Sequence, residues 1–186
     1  FAERSGIINL ALEGIMIFGA FAGVLFVNVT QKAGIFSEAK AAGDWVALQG
    51  FMLLAMLVAA ILGAVFSLLL SFASVNLKAD QTIGGTALNL LATAIAVVIA
   101  KYFSDSGSAK LNYSNKPFLF SIGGLELSIF VPLGIALLII SYIVLYKTRF
   151  GLRLRACGEH PQAADSVGIN VYKMRYAGVV ISGALG

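Results

Sequence analysis

The chain has 186 residues, of which 59% are hydrophobic and 12% are charged, and its mean hydropathy is +0.92. Soluble domains usually carry about 25% charged residues, so this composition excludes an ordinary water-soluble globule and favours a lipid bilayer as the solvent. A net charge of +4 can indicate nucleic-acid binding, but here the whole excess lies between Lys147 and Arg175. Such a concentration between apolar runs is typical of a cytoplasmic loop, and we expect no nucleic acid.

Five apolar stretches follow one another along the chain, which predicts an all-α fold, a polytopic transmembrane helical bundle. We expect an internal fragment with about four full spans and the start of a fifth, forming one integral-membrane domain over residues 1–186 that is truncated at both ends. A kink is tolerable at Pro132, in the first third of the fourth span. The predicted spans are Ile7 to Val29, Val46 to Val75, Ile83 to Tyr102 and Leu127 to Tyr146, with a fifth starting near Tyr176.

The first stretch carries polar residues. Its uninterrupted apolar part, Ile15 to Val29, reaches only about 22 Å as a helix, short of the ~30 Å hydrocarbon core. We therefore expect Asn9 and Glu13 inside the membrane as well, on one helical face because they are four residues apart. An ionisable group at this depth often marks a solute route. The alternatives are that Glu13 pairs with Arg4 or that it caps a broken helix near the interface.

The third stretch opens with two glycines and a threonine, and Asn89 follows one turn beyond Gly85. The glycines indicate either an interruption that exposes backbone to a solute or a small-residue packing face. If a polar solute crosses the membrane here, the candidates to line its path are Asn9, Glu13, Thr86 and Asn89.

Alternation of the spans predicts on which side each loop lies. With the Lys147 to Arg175 loop in the cytoplasm, Arg4 and the turn from Asn76 to Thr82 also lie inside. The loops from Thr30 to Trp45 and from Lys101 to Glu126 then lie outside.

Residues 147–175 form the predicted cytoplasmic coupling loop. Within it, Gly158 to Ile169 is predicted to be one short helix, because Pro161 suits a first turn and Gly168 suits the position just past the end. Two alanines in the middle leave a smooth face that lets another backbone come close. A helix of two turns is not stable alone in water, so it packs either on its own subunit or, as we favour, on a cytoplasmic partner.

Metal binding and nucleotide hydrolysis find no support in the sequence. Cys157 is the only cysteine and His160 the only histidine, which is too few ligands for a metal site. The Gly-x-x-x-x-Gly-Lys-Ser/Thr phosphate loop does not occur either. We expect no cofactor and no enzymatic activity in this chain.

Two segments carry a resemblance to a known family. Residues 3–14, ERSGIINLALEG, resemble a conserved segment of permeases for simple sugars, nucleosides and branched-chain amino acids, and they look closest to the nucleoside type. Residues 146–156, YKTRFGLRLRA, running into GEHPQAA at 158–164 and GINV at 168–171, are similar to the cytoplasmic coupling region of that family. Cys157 and His160 depart from the pattern, where a small apolar residue and Asn are expected.

The resemblance implies a permease subunit of an ATP-binding-cassette importer in the bacterial cytoplasmic (inner) membrane. Such a subunit forms the path for a small polar solute, here a nucleoside or simple sugar. Its implied partners are a cytoplasmic ATPase, a second permease chain that is identical or homologous, and an extracytoplasmic solute-binding protein. The residues implied to couple to the ATPase are Glu159, Pro161, Gln162, Ala163, Ala164 and Gly168.

Two other classes of membrane protein compete with this interpretation. A secondary carrier or channel driven by an ion gradient needs intramembrane carboxylates or broken helices, and Glu13 alone could serve that purpose. A membrane enzyme needs a cluster of His, Asp or Glu near an interface, and the sequence has none.

Overall fold

The computed structural model describes residues 1–34, 45–104, 110–111, 119–122 and 125–186, and these ranges form a bundle of long helices. Four helices in the described ranges are long and apolar enough to cross a membrane, the second of them together with a π-helical turn, Phe72–Asn76. The predicted all-α polytopic bundle is thereby confirmed. The helices are α1 (Leu12–Lys32), α2 (Trp45–Ser71), α3 (Gln81–Phe103), α4 (Phe130–Lys147), α5 (Arg149–Glu159), α6 (Pro161–Ser166) and α7 (Val171–Leu185).

A short antiparallel hairpin precedes α4. Its strands, β1 (Leu119–Ile122) and β2 (Leu125–Ser128), pair with Leu119 opposite Ser128. The prediction that the fourth span starts at Leu127 is therefore wrong by three residues, since the helix begins at Phe130. Pro132 is the third residue of that helix, where a missing N–H costs no intrahelical hydrogen bond, so no kink arises.

The core lies where α1 packs against α2 and α3 and where α7 packs against α2. Phe18 of α1 stacks on Phe66 of α2 with the ring centroids 4.7 Å apart. Glycines bring α2 and α7 together: a Cβ on Gly63 would lie 2.7 Å from the carbonyl oxygen of Gly183. By contrast, α4 has no buried residue in the described chain.

Contacts at one end of the bundle agree with the predicted alternation of the spans. An Nη of Arg4 donates to the Tyr146 hydroxyl at 3.4 Å, and the Tyr176 hydroxyl donates to Asn76 Oδ1 at 2.8 Å. The N-terminal turn, the turn after α2 and the basic segment therefore meet at one end, which we call the basic end. The positive-inside rule assigns this end to the cytoplasm.

The opposite end carries the two predicted outer loops. There Lys32 Nζ donates to the carbonyl oxygen of Phe103 at 3.2 Å, so the C-terminal ends of α1 and α3 are adjacent. Most of both loops, residues 35–44, 105–109, 112–118 and 123–124, lies outside the described residues.

Candidate functional site

The first predicted span is not one continuous helix. A 3-10 turn, Glu3–Ser5, is followed by residues 7–11 in non-helical conformation, and α1 begins only at Leu12. The prediction that Asn9 and Glu13 share a helical face is therefore wrong. The 21 residues of α1 still reach about 31 Å, because the helix continues beyond Val29 to Lys32.

The non-helical segment runs beside the first turns of α3. The backbone N–H of Ile8 donates to Gln81 Oε1 at 2.8 Å. Deeper along the helix, a Cβ on Gly85 would lie 2.7 Å from the Cβ of Leu10. Helix α3 is continuous through its Gly-Gly-Thr sequence, so Gly85 serves close packing and the predicted alternative of an interruption is wrong.

Asn89 braces the start of α1 from the side of α3. Its Oδ1 accepts from the N–H of Gly14 at 2.8 Å, and its Nδ2 donates to the carbonyl oxygen of Leu10 at 3.0 Å. Asn89 follows Gln81 by eight residues, or about 12 Å along the helix. The amide thus satisfies backbone groups at a depth where lipid offers no hydrogen-bond partner.

The structure places the other predicted pathway residues around this brace. Asn9 Nδ2 donates to Ser182 Oγ at 3.2 Å, while its Oδ1 is buried without a hydrogen-bond partner in the described chain. Thr86 is exposed, and its hydroxyl donates to the carbonyl oxygen of Thr82 at 3.0 Å. Glu13 is exposed in the first turn of α1, where the helix dipole favours a carboxylate.

The two structural alternatives for Glu13 have different outcomes. In the described chain, Glu13 forms no ion pair with Arg4, whose guanidinium instead contacts Tyr146. The helix is broken just before Glu13, as the capping alternative requires, but its N-cap residue Ala11 makes no side-chain cap hydrogen bond. Glu13 therefore acts on the helix end by charge alone.

The predicted coupling helix is shorter than expected. Gly158 and Glu159 end α5, and His160 with φ −139° and ψ 83° separates them from α6. Pro161 opens α6, and Gly168 follows its end with φ +82°, a conformation that favours glycine. The prediction of one helix over Gly158 to Ile169 is wrong at both ends, but its start and stop signals belong to α6.

The two alanines of α6 lie in different environments. Ala164 is 3% exposed and packs into its own chain, whereas Ala163 is exposed. Glu159, Gln162 and Gly168 are exposed too, and Pro161 is half-buried. An outer protein can therefore touch α6 through Ala163 and its exposed neighbours, while Ala164 anchors the helix.

Helix α5 was missed by the sequence analysis, which treated Lys147 to Arg175 as a loop with one helix. Thr148 caps it, because its Oγ1 accepts from the N–H of Gly151 at 3.2 Å. Its buried residues are Gly151, Leu154 and Cys157, and burial raises the pKa of the Cys157 thiol. The Thr cap and this three-residue spacing were the available signals, which the dense basic residues obscured.

Comparison with known proteins follows the same division of the chain. Over residues 1–186 it matches the family described as branched-chain amino acid transport system / permease component. The chain belongs to this permease family. It is 44% identical to the nucleoside ABC transporter permease protein NupC of Lactococcus lactis over 196 residues, covering 100% of this chain and 58% of the relative.

Two further relatives bracket the range of similarity. The guanosine ABC transporter permease protein NupQ of Bacillus subtilis is 42% identical, with 100% of this chain and 58% of the relative covered. The putative glucose ABC transporter permease protein TsgC13 of Haloferax volcanii is 30% identical, with 98% and 52% covered. The chain thus spans less than two thirds of the length of these relatives. No solved structure matches it.

Family and fold together locate the permease. Its family and its four apolar helices in the described ranges confirm the predicted multi-pass location in the cytoplasmic membrane. At the level of the family, a permease component agrees with the expectation that this chain is not itself an enzyme.

Proposed function

We propose that this permease carries a nucleoside across the cytoplasmic membrane as a subunit of an ATP-binding-cassette importer. The observation that carries the proposal is the 44% and 42% identity, over the whole chain, to permeases named for nucleoside and guanosine. A simple sugar is the second candidate, favoured by the 30% identity to a putative glucose permease.

The basic end offers a surface through which an ATPase can act. Helix α6 presents Ala163 and Gln162 outward while Ala164 holds it to the chain. Helix α5 connects it to the N-terminal turn, where Gly158 lies so close to the Arg4 carbonyl that a Cβ would clash. A force on α6 therefore reaches the broken start of the first span through α5.

The proposed solute path includes Asn9, Glu13, Thr86 and Asn89. A charged side chain exposed at membrane depth must face water or protein rather than lipid, and Glu13 is exposed in this chain. Its carboxylate disfavours anionic solutes, which agrees with a neutral nucleoside and argues against a nucleotide. Asn9 adds a carbonyl oxygen that no group of the described chain satisfies.

The remaining partners of the proposal come from the general composition of such importers. A second permease chain would complete the path, and the unburied α4 leaves surface for it or for lipid. A solute-binding protein would deliver the nucleoside on the side opposite the basic end.

Uptake by the reconstituted importer tests this proposal. The full-length permease, its ATPase, partner permease and binding protein are placed in proteoliposomes, and uptake of labelled guanosine, ribose and leucine is measured with and without ATP. We expect saturable, ATP-dependent uptake of guanosine alone. ATP-dependent uptake of ribose instead would favour the sugar alternative, and guanosine uptake driven by an ion gradient without ATP would refute the importer.

A further inference from the structure

Two arginines from different elements converge on one tyrosine at the basic end of α4. An Nη of Arg4 donates to the Tyr146 hydroxyl at 3.4 Å. From α5, the guanidinium carbon of Arg155 lies 5.0 Å from the centroid of the same ring. Arg155 Nε is buried and has no hydrogen-bond partner among the described residues.

This pair of positive charges lacks a neutralising group in the described part of the chain. Neither Arg4 nor Arg155 forms an ion pair there; their recorded contacts are with Tyr146. Like charges held close together away from bulk water repel one another, and a buried Nε–H without an acceptor is costly. An anion beside the ring would relieve both costs.

The surface below these arginines is apolar and runs along α4. Tyr142 lies one turn deeper than Tyr146, with the ring centroids 5.2 Å apart. Leu138, Ile135 and Val131 continue the same helical face and are 73%, 57% and 52% exposed. From Tyr142 to Val131 this face measures about 16 Å, about the depth of one leaflet of a ~30 Å hydrocarbon core.

The order of these groups along α4 matches an amphiphile standing in the membrane. Guanidinium groups form strong, often bidentate hydrogen bonds with phosphate oxygens, and basic sites beside membrane helices on the cytoplasmic side bind anionic headgroups. The Tyr146 hydroxyl accepts from Arg4 and keeps its own proton to donate. Aromatic rings such as Tyr142 favour the interface between headgroup and acyl chain.

We propose that Arg4, Tyr146 and Arg155 bind the phosphate of an anionic phospholipid of the inner leaflet, with an acyl chain along the exposed face of α4. The site is separate from the solute path and does not depend on which solute is carried. The shared chemistry is a phosphate group, which a lipid or a soluble phosphate can supply, and the experiment distinguishes these sources.

Native mass spectrometry of the full-length permease with its partner subunits tests the proposal. The complex is titrated with phosphatidylglycerol and with phosphatidylcholine of the same acyl chains. Arg155→Gln is compared with Arg153→Gln, which removes the same charge from an exposed position of α5. We expect preferential phosphatidylglycerol retention in the parent and in Arg153→Gln, and about a tenfold loss in Arg155→Gln.

Further variants and arms keep the result interpretable. Arg4→Gln, on a different element, is expected to lower retention as well, and thermal melting shows that each variant is folded. Equal losses in Arg153→Gln and Arg155→Gln would reduce the effect to general surface charge and overturn the site. Displacement of the lipid by inorganic phosphate would identify a soluble anion instead. Retention by the permease alone but not in complex with the ATPase would assign the arginines to a protein contact.

Discussion

The side-chain amide of Asn89 replaces hydrogen bonds that a continuous helix would have made for itself. It joins the carbonyl of Leu10 to the N–H of Gly14 across the broken start of the first span. Because both backbone groups lie at membrane depth, neither has water as a substitute partner. The residue that looked like a solute contact in the sequence therefore has a structural duty as well.

Replacing Asn89 with leucine is expected to destabilise the permease by about 1–3 kcal/mol for each backbone group left unsatisfied. The control is Thr93→Val one turn deeper, where the exposed hydroxyl bonds only to its own helix, at 2.9 Å from the Asn89 carbonyl. Thermal unfolding of the full-length protein in detergent measures both. Similar melting temperatures for the two variants would contradict the bracing role.

Cys157 is expected to resist alkylation in the folded permease. It is buried on α5, and desolvation raises the pKa of its thiol, so the reactive thiolate is scarcer at neutral pH and becomes commoner as the pH rises. We predict labelling by N-ethylmaleimide at least about tenfold slower than that of a cysteine at exposed position 163. Intact-mass measurement gives both rates, and equally fast labelling would show that α5 does not pack as described.

At the scale of helices, the contact between α1 and α3 depends on one glycine of an adjacent pair. A Cβ at Gly85 would meet the backbone of Leu10 and Ala11, whereas a Cβ at Gly84 would meet nothing within 4 Å. We expect Gly85→Ala to cost about 1–3 kcal/mol through overpacking. Gly84→Ala is expected to be neutral or stabilising by up to about 1 kcal/mol. Melting temperatures of the pair decide, and a reversed order would refute the close approach.

The alanines of α6 give a matched test of docking against folding. Ala163→Lys leaves the buried side of α6 intact and is expected to lower co-purification of the ATPase about tenfold, while Ala163→Ser changes little. Ala164 is the sequence-based choice for such a test, but a lysine there places a charge in a buried site and reports on folding. Full ATPase binding by Ala163→Lys would exclude α6 as the docking surface.

Over the whole molecule, hydropathy was sufficient to predict the spans and their alternation. The break at residues 7–11 could not be predicted, because its cause is tertiary: Gln81, Gly85 and Asn89 lie more than seventy residues away. The stop and start signals around α6 were local and therefore visible. Helix α5 was not recognised, because its small buried face lies among basic residues that mark a loop by charge alone.

The most direct test concerns the side of the membrane on which α6 lies. Ala163→Cys is introduced into a Cys157→Ala background of the full-length permease and treated with a membrane-impermeant maleimide. We predict labelling in inside-out vesicles, protection there by bound ATPase, and no labelling in intact cells. Labelling in intact cells would place the basic end outside and contradict both the topology and the ATP-driven mechanism.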